Sequence, residues 1–458
     1  MDVGRARDAG GTAAVSQAAL PAAASELGRE TIRRVTWRLM PFLVAGYLFS
    51  IIDRSNIGFA SLQMNHQLGL TQTMFGLAGG IYFIAFSLFE VPSNLALERF
   101  GASRWIARVL ISWGLVAGAT AFVVGAKSLL AMRFLLGVTE AGFFPGVILY
   151  ITYWFPASYR ARMVGIFMVS IPAANALGSP IAGYLLTMDN ALGLRGWQWL
   201  FILEAVPTVL LGFVAYWWLT DRPHNARWLS PAQRGWLAGE IERDAAQRAV
   251  NRAPRISVWK TLVDRRVLFL ALISASTTTV STALAIWQPI IVRAFALSYI
   301  ETGFVNALPY VAACVAMVLW GRHSDRTGER LWHNVLPMIV VVLGFAGLLV
   351  FTSLWLSITL LTLVMVGTYA CKGPFWAMSS EWLPRSAAAA GLAQISAVSN
   401  IAGFFASFLI GWIKDATGSY PLSLVPLMAL CAFGTIALIA LSFRRPADHA
   451  CHRPAGAR

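Results

Sequence analysis

Long apolar segments recur along the whole chain, each about twenty residues in length. A helix of about twenty residues is needed to cross the ~30 Å hydrocarbon core of a bilayer. The period-two alternation of an outer-membrane barrel is absent, so the segments are predicted to be helices, which satisfy their own backbone in lipid. The twelve predicted spans are residues 39–60, 73–97, 105–126, 129–152, 162–187, 199–219, 267–292, 302–320, 334–353, 355–379, 388–413 and 421–443.

Composition agrees with a membrane protein, since 57% of the residues are hydrophobic and only 12% are charged. A typical soluble domain has roughly 25% charged residues. The net charge of +15 does not indicate nucleic-acid binding, because the Lys and Arg residues concentrate in alternate segments between spans. The opposite segments carry only four: Lys127, Arg195, Arg293 and Lys414. By the positive-inside rule, this predicts a multi-pass protein of the inner (plasma) membrane with both termini cytoplasmic.

The chain divides into two halves of six spans around a charged central segment. The predicted organisation is a cytoplasmic tail 1–37, of which 1–30 is expected to be disordered, a six-helix bundle 38–220, a cytoplasmic loop 221–265, a second six-helix bundle 266–443 and a tail 444–458. The central loop is long enough for a short amphipathic helix, for example from Pro231 to Ala249. Short motifs repeat between the halves: Glu98-Arg99-Phe100-Gly101 corresponds to Asp325-Arg326-Thr327-Gly328, and Trp154-Phe155-Pro156 to Trp382-Leu383-Pro384. Parallel repeats of this kind pack as two bundles with a central site near the midplane.

The motif from Gly321 to Arg330 resembles the signature loop of the major facilitator superfamily, and residues 93–104 are a degenerate copy. Within that superfamily, the segments Asp53–Gly58, Arg133–Gly142 and Gly373–Trp376 resemble the anion:cation symporter family, and its tartrate, phthalate and hydroxyphenylacetate permeases in particular. The resemblance implies transport of an organic anion, usually with protons, by a monomer.

A charge inside a span costs at least ~2.5–3.5 kcal/mol on insertion scales, so each one needs a reason. Arg133 and Glu140 are seven residues apart and share a helix face, roughly 10 Å apart along the axis. That separation is too long for an ion pair and suits one cavity wall. The guanidinium of Arg133 can bind a carboxylate, and a buried Glu140 can take up and release a proton. The alternative is a structural ion-pair network.

The family resemblance gives the same assignments, with Asp53 and Glu140 in proton coupling and Arg54 and Arg133 in anion binding or gating. Asp53 and Arg54 are adjacent and point about 100° apart, so at most one of them can face the cavity centre.

Lys372 is predicted to pair with a substrate carboxylate, because Pro374 nearby should break its helix as in many transporter sites. The alternative is a lysine snorkelling to the interface. Together with Arg133 it would place cations on both halves, which suits a dicarboxylate.

Further candidate substrate contacts are aromatic or amide side chains in apolar segments. They are Tyr82, Trp287, Gln288, Trp376 and Asn400. The aromatic rings are suited to stacking on a flat substrate, and the amides to hydrogen bonding. Lipid-facing rings and amides that only join helices are the alternatives.

A third group of charges is predicted to form a cytoplasmic gate between the halves. Its members are Glu98, Arg99, Asp325, Arg326 and Arg330. Exposed pairs contribute only ~0–1 kcal/mol each, so they can bias a conformational equilibrium without locking it.

No nucleotide-binding glycine pattern and no clustered metal ligands occur, so neither an enzyme nor an ATP-driven pump is expected, and no cofactor or metal. The predicted function is import of an organic acid with protons by alternating access. A drug or metabolite exporter, an uncoupled facilitator and a non-transporting receptor remain alternatives. The receptor is disfavoured because the tails are too short for a signalling domain.

Overall fold

The computed structural model describes residues 22–250, 264–383 and 388–443. Within those ranges all regular structure is helical, and twelve segments are long and apolar enough to span a bilayer. The predicted all-α fold with twelve transmembrane helices is therefore confirmed.

The N-terminal half contains seven helices that make six spans. They are α1 (Ala22–Gln67), α2 (Gln72–Phe100), α3 (Ala102–Ala119), α4 (Ala126–Glu140), α5 (Phe143–Trp154), α6 (Ala157–Leu185) and α7 (Gly196–Trp218). The fourth span is α4 and α5 together, with a break between them. Except at the start of α1, the ends of the predicted spans lie within about seven residues of the ends of these helices.

After α7 the chain forms a peripheral helix and then the C-terminal half. These helices are α8 (Pro231–Val250), α9 (Arg265–Arg293), α10 (Tyr299–Thr327), α11 (Trp332–Val350), α12 (Leu354–Ala370), α13 (Lys372–Trp382), α14 (Ala388–Thr417), α15 (Tyr420–Ser423) and α16 (Val425–Phe443). The predicted helix in the central loop is present as α8. The tenth span is α12 and α13, again with a break at the middle of the span.

The first helix begins earlier than the sequence suggested. α1 starts at Ala22, so the end of the segment expected to be disordered is helical, while residues 1–21 lie outside the described chain. The guanidinium of Arg38 lies 4.1 Å from the ring centroid of Trp218, whose indole N–H donates to the Arg38 carbonyl at 3.0 Å. These contacts anchor the start of the first span against the end of the sixth.

The two ends of the bundle are named here by the predicted orientation. The outer end comprises the loops at residues 68–71, 123–125, 186–195, 294–298, 351–353 and 418–419. Near this end the N-terminal half meets the C-terminal half where α2 packs on α14 and α6 packs on α10. We call these two contact zones the outer seam.

Glycines allow the backbones to approach very closely at the outer seam. A Cβ added at Gly76 of α2 would lie 2.5 Å from the Ser407 carbonyl oxygen, and one at Gly183 of α6 would lie 2.5 Å from the Tyr299 carbonyl oxygen. The carboxylate of Asp415 also crosses the seam and accepts from the backbone N–H of Thr73 at 2.7 Å. Small residues permit such helix contacts in membranes, where apolar burial contributes little.

A valine at Gly76 is expected to hold the outer seam open, because its side chain has no room against the Ser407 carbonyl. Spin labels at Leu192 and Ser353 report this opening, since both lie in outer-end loops of opposite halves. Double electron–electron resonance should give a longer mean separation in Gly76→Val than in the parent. Gly165→Val is the matched control, because a Cβ at Gly165 meets open space and should leave the distance unchanged. An unchanged distance in Gly76→Val would mean that the seam tolerates the side chain.

Candidate functional site

Helix breaks place two candidate side chains at helix ends in the two halves. Glu140 is the last residue of α4. Two residues later, Gly142 has φ +87°, a left-handed conformation that favours glycine. In the C-terminal half, the helix is interrupted at Cys371, so Lys372 begins α13 just ahead of Pro374. The sequence predicted the second break from the proline, but it did not predict the first.

Glu140 forms an ion pair with Arg54 at the centre of the N-terminal half. The Nε and a terminal nitrogen of Arg54 lie 2.8 and 2.7 Å from one carboxylate oxygen of Glu140, which also accepts from the Ser50 hydroxyl. Glu140 is fully buried, whereas the Arg54 side chain is 20% exposed. The pair joins spans 1 and 4, as in the structural ion-pair network that was the alternative to a functional role, although the sequence did not identify which two residues would pair.

Arg133 is a buried cation without an acidic partner among the described residues. Its side chain is 1% exposed, and its Nε donates to the Ala78 carbonyl at a long 3.4 Å. The guanidinium carbons of Arg133 and Arg54 each lie 5.4 Å from the ring centroid of Tyr82. The buried Tyr82 ring therefore contacts both cations, which is favourable because the ring face is electron-rich.

Asp53 and Arg54 contact different partners. Its carboxylate accepts from the indole N–H of Trp113 on α3 at 2.5 Å and is buried. The divergence of the two adjacent side chains follows the 100° rotation per residue that the sequence analysis used. This contact holds Asp53 within the N-terminal half. Because Asp53 directly precedes Arg54, it lies less than one turn of α1 from the Arg54–Glu140 pair.

Lys372 is the corresponding cation of the C-terminal half. Its Nζ lies 3.1 Å from the Ser281 hydroxyl and 4.6 Å from the ring centroid of Tyr369, and the residue is half-buried. No ion pair involves it within the described part of the chain. Trp376, one turn further along α13, and Asn400 of α14 are also half-buried. These three residues keep exposed surface with which to contact a ligand.

Trp287 and Gln288 have no exposed surface and already have partners. The indole N–H of Trp287 donates to the Ser407 hydroxyl at 3.4 Å, and its ring packs edge-on against Phe75 across the two halves. The Gln288 amide donates to the Asn306 carbonyl at 3.2 Å. In this conformation both act as helix-packing residues, so the predicted contact with substrate would require the halves to separate.

Four of the predicted cytoplasmic gate residues are exposed and Arg330 is half-buried, and their ion pairs stay within one half. Arg330 lies 2.7 Å from Asp325 and 3.7 Å from Glu381. Glu98, Arg99 and Arg326 are exposed. Across residues 22–250, 264–383 and 388–443 no ion pair joins the two halves. The predicted latch between halves is not formed in this conformation and stays a prediction for another one.

Glu204 of α7 is a buried acid that the sequence analysis overlooked. Its side chain accepts from the Asn56 amide at 3.0 Å, and the residue is 6% exposed. An ionisable residue inside an apolar span is a candidate functional residue by default, so the signal was present in the sequence. The number of acids in the spans of the N-terminal half is therefore larger than predicted.

Comparison with known proteins identifies relatives over almost the whole chain. The profile of the Major Facilitator Superfamily matches residues 43–407. A protein of Agrobacterium vitis whose name proposes tartrate as its cargo is 46% identical over 92% of this chain and 97% of its own length. The quinolone resistance transporter of Acinetobacter baumannii is 38% identical over 89% of this chain and 94% of its own.

Solved structures agree on the fold. The xylose transporter XylE of E. coli, in a partially occluded inward-open conformation, superposes with a TM-score of 0.70 at 14% identity, covering 90% of this chain and 98% of that one. The chain belongs to the major facilitator superfamily and is a multi-pass membrane transporter of that family.

Proposed function

We propose that this protein imports an organic carboxylate together with protons by alternating access. The observation that carries the proposal is an imbalance of charge in the membrane-spanning helices. Arg54 and Glu140 satisfy each other, whereas Arg133 and Lys372 have no acidic partner among the described residues. An unpaired cation in hydrocarbon is costly, and an anionic substrate would supply the missing partner.

The Arg54–Glu140 ion pair supports a specific form of proton coupling. A carboxyl that accepts a proton loses most of its attraction for a guanidinium, so protonation of Glu140 would free Arg54 to bind a substrate carboxylate. Conversely, a substrate that takes Arg54 leaves a buried carboxyl that is most stable when neutral. Proton and anion then each favour the binding of the other, which is the thermodynamic requirement for symport. Asp53, held by Trp113, is the second candidate proton carrier.

The positions of the cations support a dicarboxylate as the substrate class. Arg133 and Arg54 belong to the N-terminal half and Lys372 to the C-terminal half, so a molecule with two carboxylates can contact both halves at once. Tartrate-like diacids fit this arrangement, as do phthalate-like diacids, and the partly exposed Trp376 adds a surface for an aromatic acid. The similarity to the Agrobacterium protein makes tartrate the first substrate to test.

The proposal includes the setting of the protein. It is a monomer in the inner membrane with cytoplasmic termini, and two six-helix bundles, residues 38–220 and 266–443, rock about the bound substrate. When the inner end closes, exposed gate acids such as Glu98 and Asp325 form ion pairs with gate arginines of the opposite half.

Export of drugs is the second candidate function. The similarity to a quinolone resistance transporter favours it, while the buried cations disfavour it, because an exporter of apolar compounds has no need for them. An uncoupled facilitator differs from both in its indifference to the proton gradient. The two alternatives and the proposal therefore predict different responses to an imposed gradient.

Uptake into proteoliposomes under an inward proton gradient is the direct test. We expect accumulation of one member of a panel containing tartrate, phthalate, 4-hydroxyphenylacetate and a hexuronate. A protonophore should abolish the accumulation. Uptake that equilibrates without accumulation would indicate a facilitator, and loss of a preloaded cationic drug without uptake of any acid would indicate an exporter.

Glu140→Gln should abolish accumulation driven by the gradient but keep exchange of labelled for unlabelled substrate. The amide mimics the protonated acid, so Arg54 stays free for substrate while no proton is released. Glu242→Gln is the matched control, because Glu242 is exposed on α8 and forms no ion pair within the described chain. Loss of exchange as well as accumulation in folded Glu140→Gln would rule out this role.

Lys372→Ala should weaken substrate binding about ten- to a hundredfold, the range for a hydrogen bond to a charged group of ~1.5–3 kcal/mol. Isothermal titration with the transported acid measures the change. Lys127→Ala, at an exposed outer-end lysine, is the control and should bind normally. Equal affinity in Lys372→Ala and the parent would make Lys372 an interfacial lysine without a substrate contact.

A further inference from the structure

A small cavity with a partly polar lining lies between the two halves, and Asn56, which lines it, follows Arg54 by two residues in α1. Glu204 of α7 and Asn56 of α1 line it from one side, with Asn175 and Ser179 of α6. Asn306 of α10 lines it from the C-terminal half. The cavity is therefore assembled only when the halves are in contact at the outer seam.

Three buried oxygens of this cluster have no donor within the described chain. They are Oε1 of Glu204, Oδ1 of Asn56 and Oδ1 of Asn306. Each amide nitrogen makes one hydrogen bond, from Asn56 to the other oxygen of Glu204 at 3.0 Å and from Asn306 to the Ser179 hydroxyl at 2.8 Å. The oxygen Oε1 of Glu204 thus remains a buried acceptor without a donor among the described residues. A proton on Glu204 adds a donor, whereas an ionised Glu204 adds only another acceptor.

No cation of the described chain offsets a negative charge on Glu204. No ion pair involves Glu204 in the described part of the chain. The charged group that acts on it is another acid, Asp53 of α1. The helices α6, α9 and α10 present only neutral residues to the cavity, and no charged residue of α3 acts on it. Two carboxylates close together in a water-poor region disfavour the doubly ionised state.

Glu204 lines a cavity whose opposite wall, at Asn306, belongs to the C-terminal half, so separation of the halves at the outer seam would open that cavity to water. The hydrogen bond from Asn306 to Ser179 crosses the halves one turn from Gly183, where α6 meets the Tyr299 carbonyl of α10. Burial of an ionised carboxylate costs far more than burial of a neutral carboxyl. The charge of Glu204 must therefore shift the balance between an open and a closed outer end.

We propose that Glu204 is a proton-binding residue whose protonation stabilises the closed outer seam. It takes a proton from water while the outer end is open, and the neutral carboxyl then completes the polar cluster as α6 and α10 meet. This inference rests on the proposed proton-coupled import and adds to it a third acid and the step that it controls. The ionised residue keeps the outer end open until a proton arrives.

The test measures the outer distance without substrate or gradient. The spin-label pair at Leu192 and Ser353 is placed in a background with the four native cysteines replaced by alanine, in nanodiscs. In the parent, acidification should convert the longer separation into the shorter one, by up to about tenfold in population per pH unit, the limit for one linked proton. Glu204→Gln and Glu204→Met should both give the shorter separation at every pH.

Control variants test whether the pH response belongs to Glu204, and addition of sodium tests whether the bound ion is a proton. Asp415→Asn, which removes the carboxylate that crosses the outer seam, and Glu242→Gln should keep the pH dependence, and Glu204→Asp should restore it. A pH response that is absent in the parent, or unchanged in both neutral Glu204 variants, would overturn the proposal. Closure by sodium at constant pH would also overturn it and indicate a metal-cation site. Failure of proton-driven uptake with an intact pH response of the seam would count only against the proposed function.

Discussion

The cost of placing charge in hydrocarbon organises this molecule more than any other constraint. On insertion scales each charged side chain in a span costs at least ~2.5–3.5 kcal/mol, so each needs a partner or a proton. Glu140 has Arg54 and Ser50, and Asp53 has the indole of Trp113. These contacts account for most of the acids, and they leave the buried cations as the unbalanced groups. The chemistry of the site therefore depends on these unpaired cations.

The two halves repeat in topology but differ in charge. Both contain a span broken at its middle, where Glu140 ends one helix and Lys372 begins another. The N-terminal half holds the acids and both arginines, whereas the C-terminal half contributes a lysine among hydroxyl and aromatic groups. Under the proposed function, a substrate with two carboxylates would contact both halves, and its binding would depend on their relative position.

The sequence predicted most of the fold because the bilayer imposes one simple rule on composition and length. Span boundaries, the central helix α8 and the break near Pro374 all follow from local pattern. The identity of partners did not, because the ion pair of Arg54 with Glu140 joins α1 to α4 through packing that no local pattern encodes. Burial was equally unpredictable for Trp287, since an indole in a span can face lipid, substrate or another helix.

Two residues of the site, Glu204 and Trp113, were not predicted from the sequence. Glu204 was detectable, because a lone acid eight residues into α7 breaks an apolar run. Its significance was not detectable, because Asn56, Ser179 and Asn306 come from three other helices in both halves. Trp113 was missed for a similar reason, since an indole becomes a partner for Asp53 only after α1 and α3 pack.

Close packing at the outer seam explains how the charge of a nearby buried acid can shift the balance between its open and closed states. The seam closes by backbone contacts at Gly76 and Gly183, which depend on shape and are insensitive to pH or salt. Contacts of that kind give a closed state of fixed geometry but no means of responding to a proton. In our proposal the carboxyl of Glu204 supplies the response, because it lines a cavity that is enclosed when Gly183 of α6 meets α10. The close packing thus sets the geometry of the closed state, and in our proposal the protonation of Glu204 sets when that state forms.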